Sequence, residues 1–399
     1  MSFCEVDLGD VLRIKHGFAF KGEHFTSEGE FLVVTPGNFH EVGGFRRRVG
    51  RDRYYAGDIP ESFILAADDL IIAMTEQGEG LLGSSALIPE TEQFLHNQRI
   101  GLVHSIDVER ADKGFLFYLF NTKTVRSQIR ASASGTKVRH TAPERIYRVK
   151  VSLPSLAEQQ RIASILSAYD DLIENNRRRI ALLEEAARQL YKEWFIRFRF
   201  PGHEHVKIID GVPEGWEMRS FDTLADFLNG FAFKPHHLGD AGLPIVKIPE
   251  LKGGVLGKTP RYDGEGVPEK YLLNTGDLIF SWSGTLAIDF WCDGPAYLNQ
   301  HLFKVMPYDD VSAAHLLVAI REAMVMFENQ TVGATMKHIR RSALSDVKVP
   351  IPPVSLYSSF RDAVDSLYNQ VVNLRSLSRN AAKARDLLLP KLMSGAIAV

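Results

Sequence analysis

Clusters of arginine, lysine and histidine are the residues of this sequence whose types and spacing suggest a chemistry. Two basic segments, FRRRVGRDRYY at 45–55 and GTKVRH at 135–140, are followed later by LGKTPRY at 256–262 and GATMKHIRR at 333–341. Arginine can bind guanine through two hydrogen bonds, and any of these cations can neutralise a phosphate. The predicted DNA-binding residues are Arg46, Arg47, Arg48, Arg51, Arg53, Lys137, Arg139, His140, Lys258, Arg261, Lys337, His338, Arg340 and Arg341.

The composition requires that nucleic-acid binding come from these local patches, because the formal net charge is only −2. A solvated surface loop remains the alternative for any single cation, but basic segments recur in equivalent places of two halves of the chain. The two cysteines predict neither a disulfide framework nor a cysteine-based metal site, and they favour the cytoplasm. No segment has the length and apolar character of a membrane span or a signal peptide.

Motifs that would indicate catalysis are incomplete. GGVLGKT at 253–259 resembles a phosphate-binding loop, but only three residues separate its glycines and Pro260 follows at once. Asp240 with Glu250 and Lys252 has the outline of a metal-dependent nuclease set, yet the first half of the chain has Gly-Asn-Phe at the corresponding place, and a chance match is the simpler explanation. We therefore predict no catalytic residues, no metal site and no cofactor in this chain, with a stand-alone nuclease as an alternative.

An internal repeat organises the chain. GFAFK occurs at 17–21 and again at 230–234, and further matched segments follow in the same order with a separation that shrinks from 213 to 198 residues. Shrinking separations indicate longer loops in the first copy, and a repeat of this length indicates tandem domains. We expect the four phenylalanines of the two pentapeptides to fill the cores: Phe18, Phe20, Phe231 and Phe233.

A long helix follows each copy. From Ile162 to Trp194, seam positions that are apolar except for Asn176 alternate at spacings of four and three, and the same seam recurs 198 residues later from Phe360 to Leu392. Ser155 and Glu158 predict a capping box, FPG at 200–202 predicts the first helix end, and Gly395 predicts the second. We expect the helices to run antiparallel as a spacer of about 60 Å. Apolar positions outside the seam are predicted to bind partner helices, although a wider core stripe would explain them equally well: Ile165, Leu172, Leu182 and Ala186.

These patterns predict an α+β protein with two similar mixed α/β domains separated by two long antiparallel coiled-coil helices. The expected boundaries are a domain at 1–153, a helix at 154–200, a linker at 201–215, a second domain at 216–351 and a distal helix at 352–396.

The chain resembles the specificity subunits of type I restriction-modification systems over nearly its whole length. The resemblance rests on GFAFK, TPGNF, DLIIAM and NQRIGLV, and above all on the helix start LPSLAEQQRI and the helix exit EWFIRFRFPG. It implies two target recognition domains that each read half of an asymmetric, interrupted sequence in double-stranded DNA. The second helix start, IPIPPVSLYSSFRDAV, lacks the EQQ sequence, and we expect the partner contacts at that end to differ.

The resemblance also implies partners and cofactors outside this chain. Two modification subunits would carry S-adenosylmethionine and methylate adenine at N6, and restriction subunits would use ATP and Mg²⁺ to translocate and cleave DNA in phage defence. A coiled-coil scaffold that binds proteins but no DNA is a further alternative.

Overall fold

The computed structural model describes residues 3–48, 50–78, 80–89, 93–263, 266–332 and 338–399. The chain divides into two compact units, unit one formed by Met1–Asp171 with Ala381–Val399 and unit two formed by Leu172–Asn380. In the described part of the chain, no helix combines the length and apolar character needed to cross a membrane.

Unit one contains an α/β domain and the first turns of a long helix. Its strands are β1 (Cys4–Asp7), β2 (Leu12–His16), β3 (Phe25–Thr26), β4 (Phe31–Val34), β5 (Tyr54–Tyr55), β6 (Ile64–Leu65), β7 (Leu70–Ala73), β8 (Thr75–Glu76), β9 (Ser85–Leu87), β10 (Gln93–His96), β11 (Ile100–Ile106), β12 (Arg139–His140) and β13 (Lys150–Leu153). Its helices are α1 (Lys113–Phe120), α2 (Lys123–Ala131), α3 (Pro143–Ile146) and α4 (Leu156–Tyr191), the last of which continues into unit two.

Unit two contains the second α/β domain and most of a second long helix. Its strands are β14 (Ile208–Ile209), β15 (Val212–Pro213), β16 (Glu217–Ser220), β17 (Ala225–Asn229), β18 (Leu243–Val246), β19 (Arg261–Tyr262), β20 (Leu272–Leu273), β21 (Leu278–Ser281), β22 (Ala287–Phe290), β23 (Ala296–Leu298), β24 (Leu302–Pro307), β25 (Thr331–Val332), β26 (His338–Ile339) and β27 (Lys348–Ile351). Its helices are α5 (Ile248–Gly253), α6 (Ala313–Glu322), α7 (Met324–Asn329), α8 (Ala343–Asp346) and α9 (Val354–Met393), the last of which continues into unit one.

The two larger sheets of each unit correspond in strand order, except that one sheet of unit one has an additional edge strand, β3. One sheet has the order β2-β11-β7-β9 in unit one and β17-β24-β21-β22 in unit two. The other has β3-β5-β4-β10-β6 in unit one and β19-β18-β23-β20 in unit two, with a parallel pair at its centre in each case, β4 with β10 and β18 with β23. The tandem repeat predicted from the sequence is therefore present in the fold.

The repeated GFAFK pentapeptide lies where the backbone passes very close to a neighbouring strand. A Cβ on Gly17 would lie 2.0 Å from the carbonyl oxygen of Asn97, and a Cβ on Gly230 would lie 2.3 Å from that of Asn299. Only glycine fits such an approach. Phe20 is buried as predicted, whereas Phe18 and both phenylalanines of the second copy are half-buried.

Each unit contains a segment of both long helices, and within each unit the two segments run in opposite directions. In unit two, the rings of Trp194 and Phe360 lie 5.5 Å apart, and Glu184 binds Arg375 at 2.6 Å. In unit one, Asp170 forms an ion pair with Arg385. All predicted seam positions are buried or half-buried, including Ser378 and Arg385, the two positions where the second copy departs from apolar residues.

The helix ends follow the sequence signals with one difference. Ser155 and Glu158 form the predicted capping box, with the Ser155 hydroxyl 2.8 Å from the Glu158 carboxylate. Gly395 follows α9 with a φ of +72°, as expected for a helix stop. The first helix, however, passes into a π-helical turn at Lys192–Ile196 before the predicted stop at 200–202.

The second residue of the EQQ sequence, Gln159, is part of the unit-one core. Gln159 is fully buried, and its side chain accepts from the backbone of Asp112, the N-cap of α1, at 3.0 Å. In unit two, the hydroxyl of Tyr357 accepts from the backbone of Ser312, the N-cap of α6, at 3.1 Å. The missing EQQ sequence at the second helix start therefore reflects, at this position, an exchange of one internal hydrogen-bonding side chain for another.

Candidate nucleic-acid interface

Two buried polar side chains hold the base of the arginine-rich segment in unit one. Asn38 and Asp52 are 2% and 9% exposed, and Asn38 Nδ2 donates to Asp52 Oδ1 at 2.8 Å. Asp52 Oδ2 accepts from Arg47 Nε at 2.9 Å and from the backbone nitrogen of Arg48 at 2.9 Å. Burial alone would raise the pKa of Asp52, but the hydrogen bonds from Arg47, Asn38 and the backbone hold the pKa below its usual value. Asp52 is therefore a carboxylate at neutral pH.

The other arginines of the segment differ in how far they are engaged. Arg46 is exposed but donates from Nε to the carbonyl of Gly37 at 2.9 Å. Arg48 is half-buried and lies against Gly37. Arg51 and Arg53 are exposed, and their side chains form no ion pair with the described residues. These two arginines are the ones most accessible to a phosphate or a base edge.

The second basic segment of unit one pairs with a strand that contains a buried glutamate. Strand β12 pairs with β8, so that Arg139 lies opposite Glu76 and His140 opposite Thr75. Glu76 is 3% exposed, and its Oε2 accepts three backbone N–H groups from Gly80, Leu81 and Leu82 at 3.0–3.1 Å.

Exposure separates the three predicted cations of this second segment. Lys137 and His140 are exposed and Arg139 is half-buried. His140 Nδ1 also lies 3.1 Å from the hydroxyl of Thr75.

One loop of unit one contacts the chain next to the arginine-rich segment and the glutamate opposite the second basic segment. Gly44, just before the arginine-rich segment, donates from its backbone nitrogen to the carbonyl of Ser85 at 2.9 Å, and Ser84 donates its hydroxyl to His40 O at 2.8 Å. The segment that contains Ser84 and Ser85 begins at the glycine held by Glu76. The loop at 80–85 therefore lies against residues next to the arginine-rich segment, and it is held by the glutamate that pairs with Arg139.

Unit two holds its corresponding loop with a different pair of buried residues. Glu250 and Thr259 are 6% and 4% exposed, and the Thr259 hydroxyl donates to Glu250 Oε1 at 3.0 Å. Thr259 Oγ1 also accepts from the backbone nitrogen of Leu256 at 2.9 Å. Lys258 is exposed, and Arg261 is half-buried with its guanidinium donating to Gly242 O at 2.9 Å.

The second basic segment of unit two repeats the bridge seen in unit one. His338 forms an antiparallel bridge with Ser283, as His140 does with Thr75. Arg340 and Arg341 are exposed. Lys337 lies outside the described residues.

The motifs that suggested catalysis have structural places of their own. Glu250 is buried in the pair with Thr259, while Asp240 and Lys252 are exposed. The glycine-rich 253–259 segment is followed by strand β19 rather than by the helix that a phosphate-binding loop needs. Among the residues that the structure describes, no group of three or more His, Cys, Asp or Glu side chains could hold a metal ion.

The apolar residues predicted to bind partner helices lie outside the buried seam. In unit one, Ile165 is 37% exposed. In unit two, Leu172 and Leu182 are 45% and 71% exposed, and Ala186 is exposed as well. The wider core stripe does not cover them within either unit.

The residues that fix the loops were not among the predicted site residues. Asn38 and Asp52 in unit one, and Glu250 and Thr259 in unit two, orient the backbone from which the cations project. Asp52 is the one acidic residue within FRRRVGRDRYY, and a single acid among five arginines could have indicated a residue that orients them. Glu76 had no comparable signal, because its hydrogen bonds come from backbone groups and its ionic partner, Arg130, lies on a separate helix.

The chain contains two copies of one α/β framework, and each copy continues into a long helix. The framework is repeated, whereas the basic loops differ between the copies. The family model described as "Type I restriction modification DNA specificity domain" matches residues 3–185 and 213–366. The chain belongs to this family.

Two curated relatives from Methanocaldococcus jannaschii are similar over most of their length. The type I restriction enzyme MjaIX specificity subunit is 26% identical over 309 residues, which cover 71% of this chain and 69% of that protein. The MjaVIII specificity subunit is 24% identical over 357 residues, which cover 85% of this chain and 81% of that protein. The crystal structure of the type I restriction-modification S subunit from M. genitalium shares the fold, with a TM-score of 0.61, 15% identity, and coverage of 98% of this chain and 96% of that one.

Proposed function

We propose that this chain selects the DNA target of a type I restriction-modification complex, with each unit reading one half of an asymmetric, interrupted sequence. The observation that carries the proposal is that one framework is built twice while the loop chemistry differs. The loop pair is Asn38 with Asp52 in unit one and Glu250 with Thr259 in unit two. A repeated scaffold with different loops is what the reading of two unlike half-sites requires.

The binding test uses arginines that are exposed and free of ion pairs with the described residues. Changing Arg51 and Arg53 to alanine should weaken binding of double-stranded DNA and reduce its dependence on salt. Each lost phosphate contact lowers the slope of log affinity against log salt by about 0.9. Arg177 and Arg178, exposed on α4, give a charge-matched control in which neither quantity should change. Equal losses in both variants would contradict the assignment of the loop.

We propose further that the chain supplies recognition while partner subunits supply the chemistry. In this proposal, two modification subunits carry S-adenosylmethionine and methylate adenine at N6, and restriction subunits use ATP and Mg²⁺. The isolated chain should leave supercoiled plasmid intact in the presence of Mg²⁺. Cleavage that depends on Asp240 would favour the nuclease alternative instead.

We propose that the exposed apolar residues of α4 bind helices of the modification subunits. Replacing Leu182 by glutamate introduces a charge at a position that is 71% exposed, so the fold should tolerate it while an apolar contact would not. Val108 in unit one is 73% exposed and lies outside the helices, so Val108→Glu is the control. Co-purification of the modification subunit should fall for Leu182→Glu alone. Unchanged co-purification would remove Leu182 from the interface.

A further inference from the structure

The two buried loop pairs are equivalent parts of the repeated framework. In unit one, Asn38 Oδ1 accepts from the backbone nitrogen of Thr35 at 2.9 Å while its amide donates to Asp52. In unit two, Glu250 Oε2 accepts from the backbone nitrogen of Lys247 at 3.1 Å while its Oε1 accepts from Thr259. In each unit, one side chain therefore caps a short helical turn and also holds the loop that follows it.

The pairs differ in which side carries the negative charge. In unit one the acid is Asp52, within the loop, and it binds Arg47 and the backbone of Arg48 as well as its partner. In unit two the acid is Glu250, on helix α5, and the loop contributes only the Thr259 hydroxyl. The pair of unit one therefore belongs to a charged network, whereas the pair of unit two is joined by one neutral donor, the Thr259 hydroxyl.

The contacts of Arg47 set it apart from the other arginines of its segment. Its guanidinium donates to Asp52 at 2.9 Å and to the hydroxyl of Tyr54 at 3.1 Å. The backbone carbonyl of Arg48 accepts from the nitrogens of Arg51 and Asp52 at 2.6 and 2.9 Å. These bonds close a turn from which Arg51 and Arg53 project.

We propose that Asp52 is a positioning residue for the DNA-reading arginines of unit one, and that Thr259 has the same role for the loop of unit two. This inference rests on the proposed function. A loop that is already held in one conformation loses little conformational entropy when it binds DNA. Its base contacts are therefore both stronger and more selective. Loss of the hydrogen bonds of Asp52 or of Thr259 should therefore reduce the base specificity at one half-site and leave the other half-site unchanged.

The experiment expresses the full chain with its modification subunits in a host deleted for the native gene. It then maps N6-methyladenine across the genome. The variants are Asp52→Asn, which removes the charge that binds Arg47, and Thr259→Val, which removes the hydroxyl at nearly constant volume. Thr259→Ser keeps the hydroxyl and is the rescue variant matched to Thr259→Val. This pair keeps the test informative if Asp52→Asn lowers the yield of folded protein.

The expected result is a motif that becomes degenerate on one side only. Discrimination between cognate and substituted bases should fall by about tenfold or more, the range associated with one bidentate base contact. Asp52→Asn and Thr259→Val should affect opposite halves, and Thr259→Ser should retain the full motif. A merely structural role would lower methylation at every site without changing the preferred bases, and that result would overturn the inference.

Two further outcomes separate this inference from the proposed function. If both variants relax the same half, the positioning roles are wrong although the chain still selects DNA. If the unaltered chain supports no interrupted motif, the proposed function itself fails, and this inference fails with it.

Discussion

Two histidines are buried among the residues that the structure describes, and they predict a specific loss of stability in acid. His96 is fully buried, and its Nε2 donates to the carbonyl of Ile100 at 2.8 Å. The matching position in unit two is Leu298, which is also fully buried. Burial lowers the pKa of His96 from 6.5 to about 4.

The sign and size of the effect follow from proton linkage. The unfolded chain binds a proton at His96 below about pH 6.5, while the folded chain does so only near pH 4. The free energy of unfolding therefore falls as the pH drops between these values. From about pH 7.5 to about pH 5 the loss from this residue is about 2 kcal/mol. His315 in unit two, fully buried with a pKa lowered by burial to about 3, should add a similar loss.

The assay is urea unfolding at about pH 7.5 and about pH 5, with His96→Leu compared to the unaltered chain. The variant loses one hydrogen bond and should be less stable at neutral pH, but its loss between the two pH values should be smaller by about 2 kcal/mol. His205, whose side chain is 83% exposed, provides the control His205→Gln, which should keep the full acid loss. If His96→Leu loses as much stability in acid as the unaltered chain, the reasoning from burial is refuted.

Three further predictions concern the scaffold. Leu166→Ala, at a fully buried seam position, should reduce the free energy of unfolding by about 2–5 kcal/mol in chemical denaturation. Leu182→Ala, at an exposed position, should change it by about 0.5 kcal/mol or less. Equal effects of the two substitutions would place Leu166 outside the core. Gly17→Ala should lower the free energy of unfolding by about 1–3 kcal/mol or more, because the added Cβ would meet backbone atoms. Gly22→Ala is the control and should be nearly neutral in the same measurement, because a Cβ there has no atom within 4 Å. A neutral Gly17→Ala would argue against the close approach. Tyr357→Phe should cost about 1–3 kcal/mol by leaving a buried backbone N–H without its acceptor, and an unchanged thermal midpoint would show that the hydroxyl is dispensable.

The architecture could be predicted from the sequence because the heptad period and the internal repeat each correspond to a structural feature. The matched GFAFK segments correspond to two places where the backbone excludes a side chain, and the heptad seams correspond to buried or half-buried helix positions throughout. Adding the repeat separation to the first seam even predicted the half-buried position of Ser378. Its apolar neighbour Leu377 is instead 55% exposed.

The remaining features depend on contacts between residues that are distant or dissimilar in sequence. The exchange of Gln159 for Tyr357 preserves one hydrogen bond with unrelated side chains, so that alignment of residue types alone cannot detect it. The pairs that hold the basic loops go further and exchange donor and acceptor, because Asn38 donates to its loop in unit one whereas Glu250 accepts from its loop in unit two. Counting arginines located the basic segments, but it did not indicate that Arg47 is bound to a buried carboxylate.

The central claim, that this chain chooses the DNA sequence on which a type I complex acts, is tested most directly by sequencing the N6-methyladenines of the host genome. The comparison is between the host with the gene and the same host after its deletion. The account predicts that deletion removes methylation from one asymmetric, interrupted motif and from no other. An identical methylation pattern in both strains, in a host that methylates its DNA through this system, would contradict it.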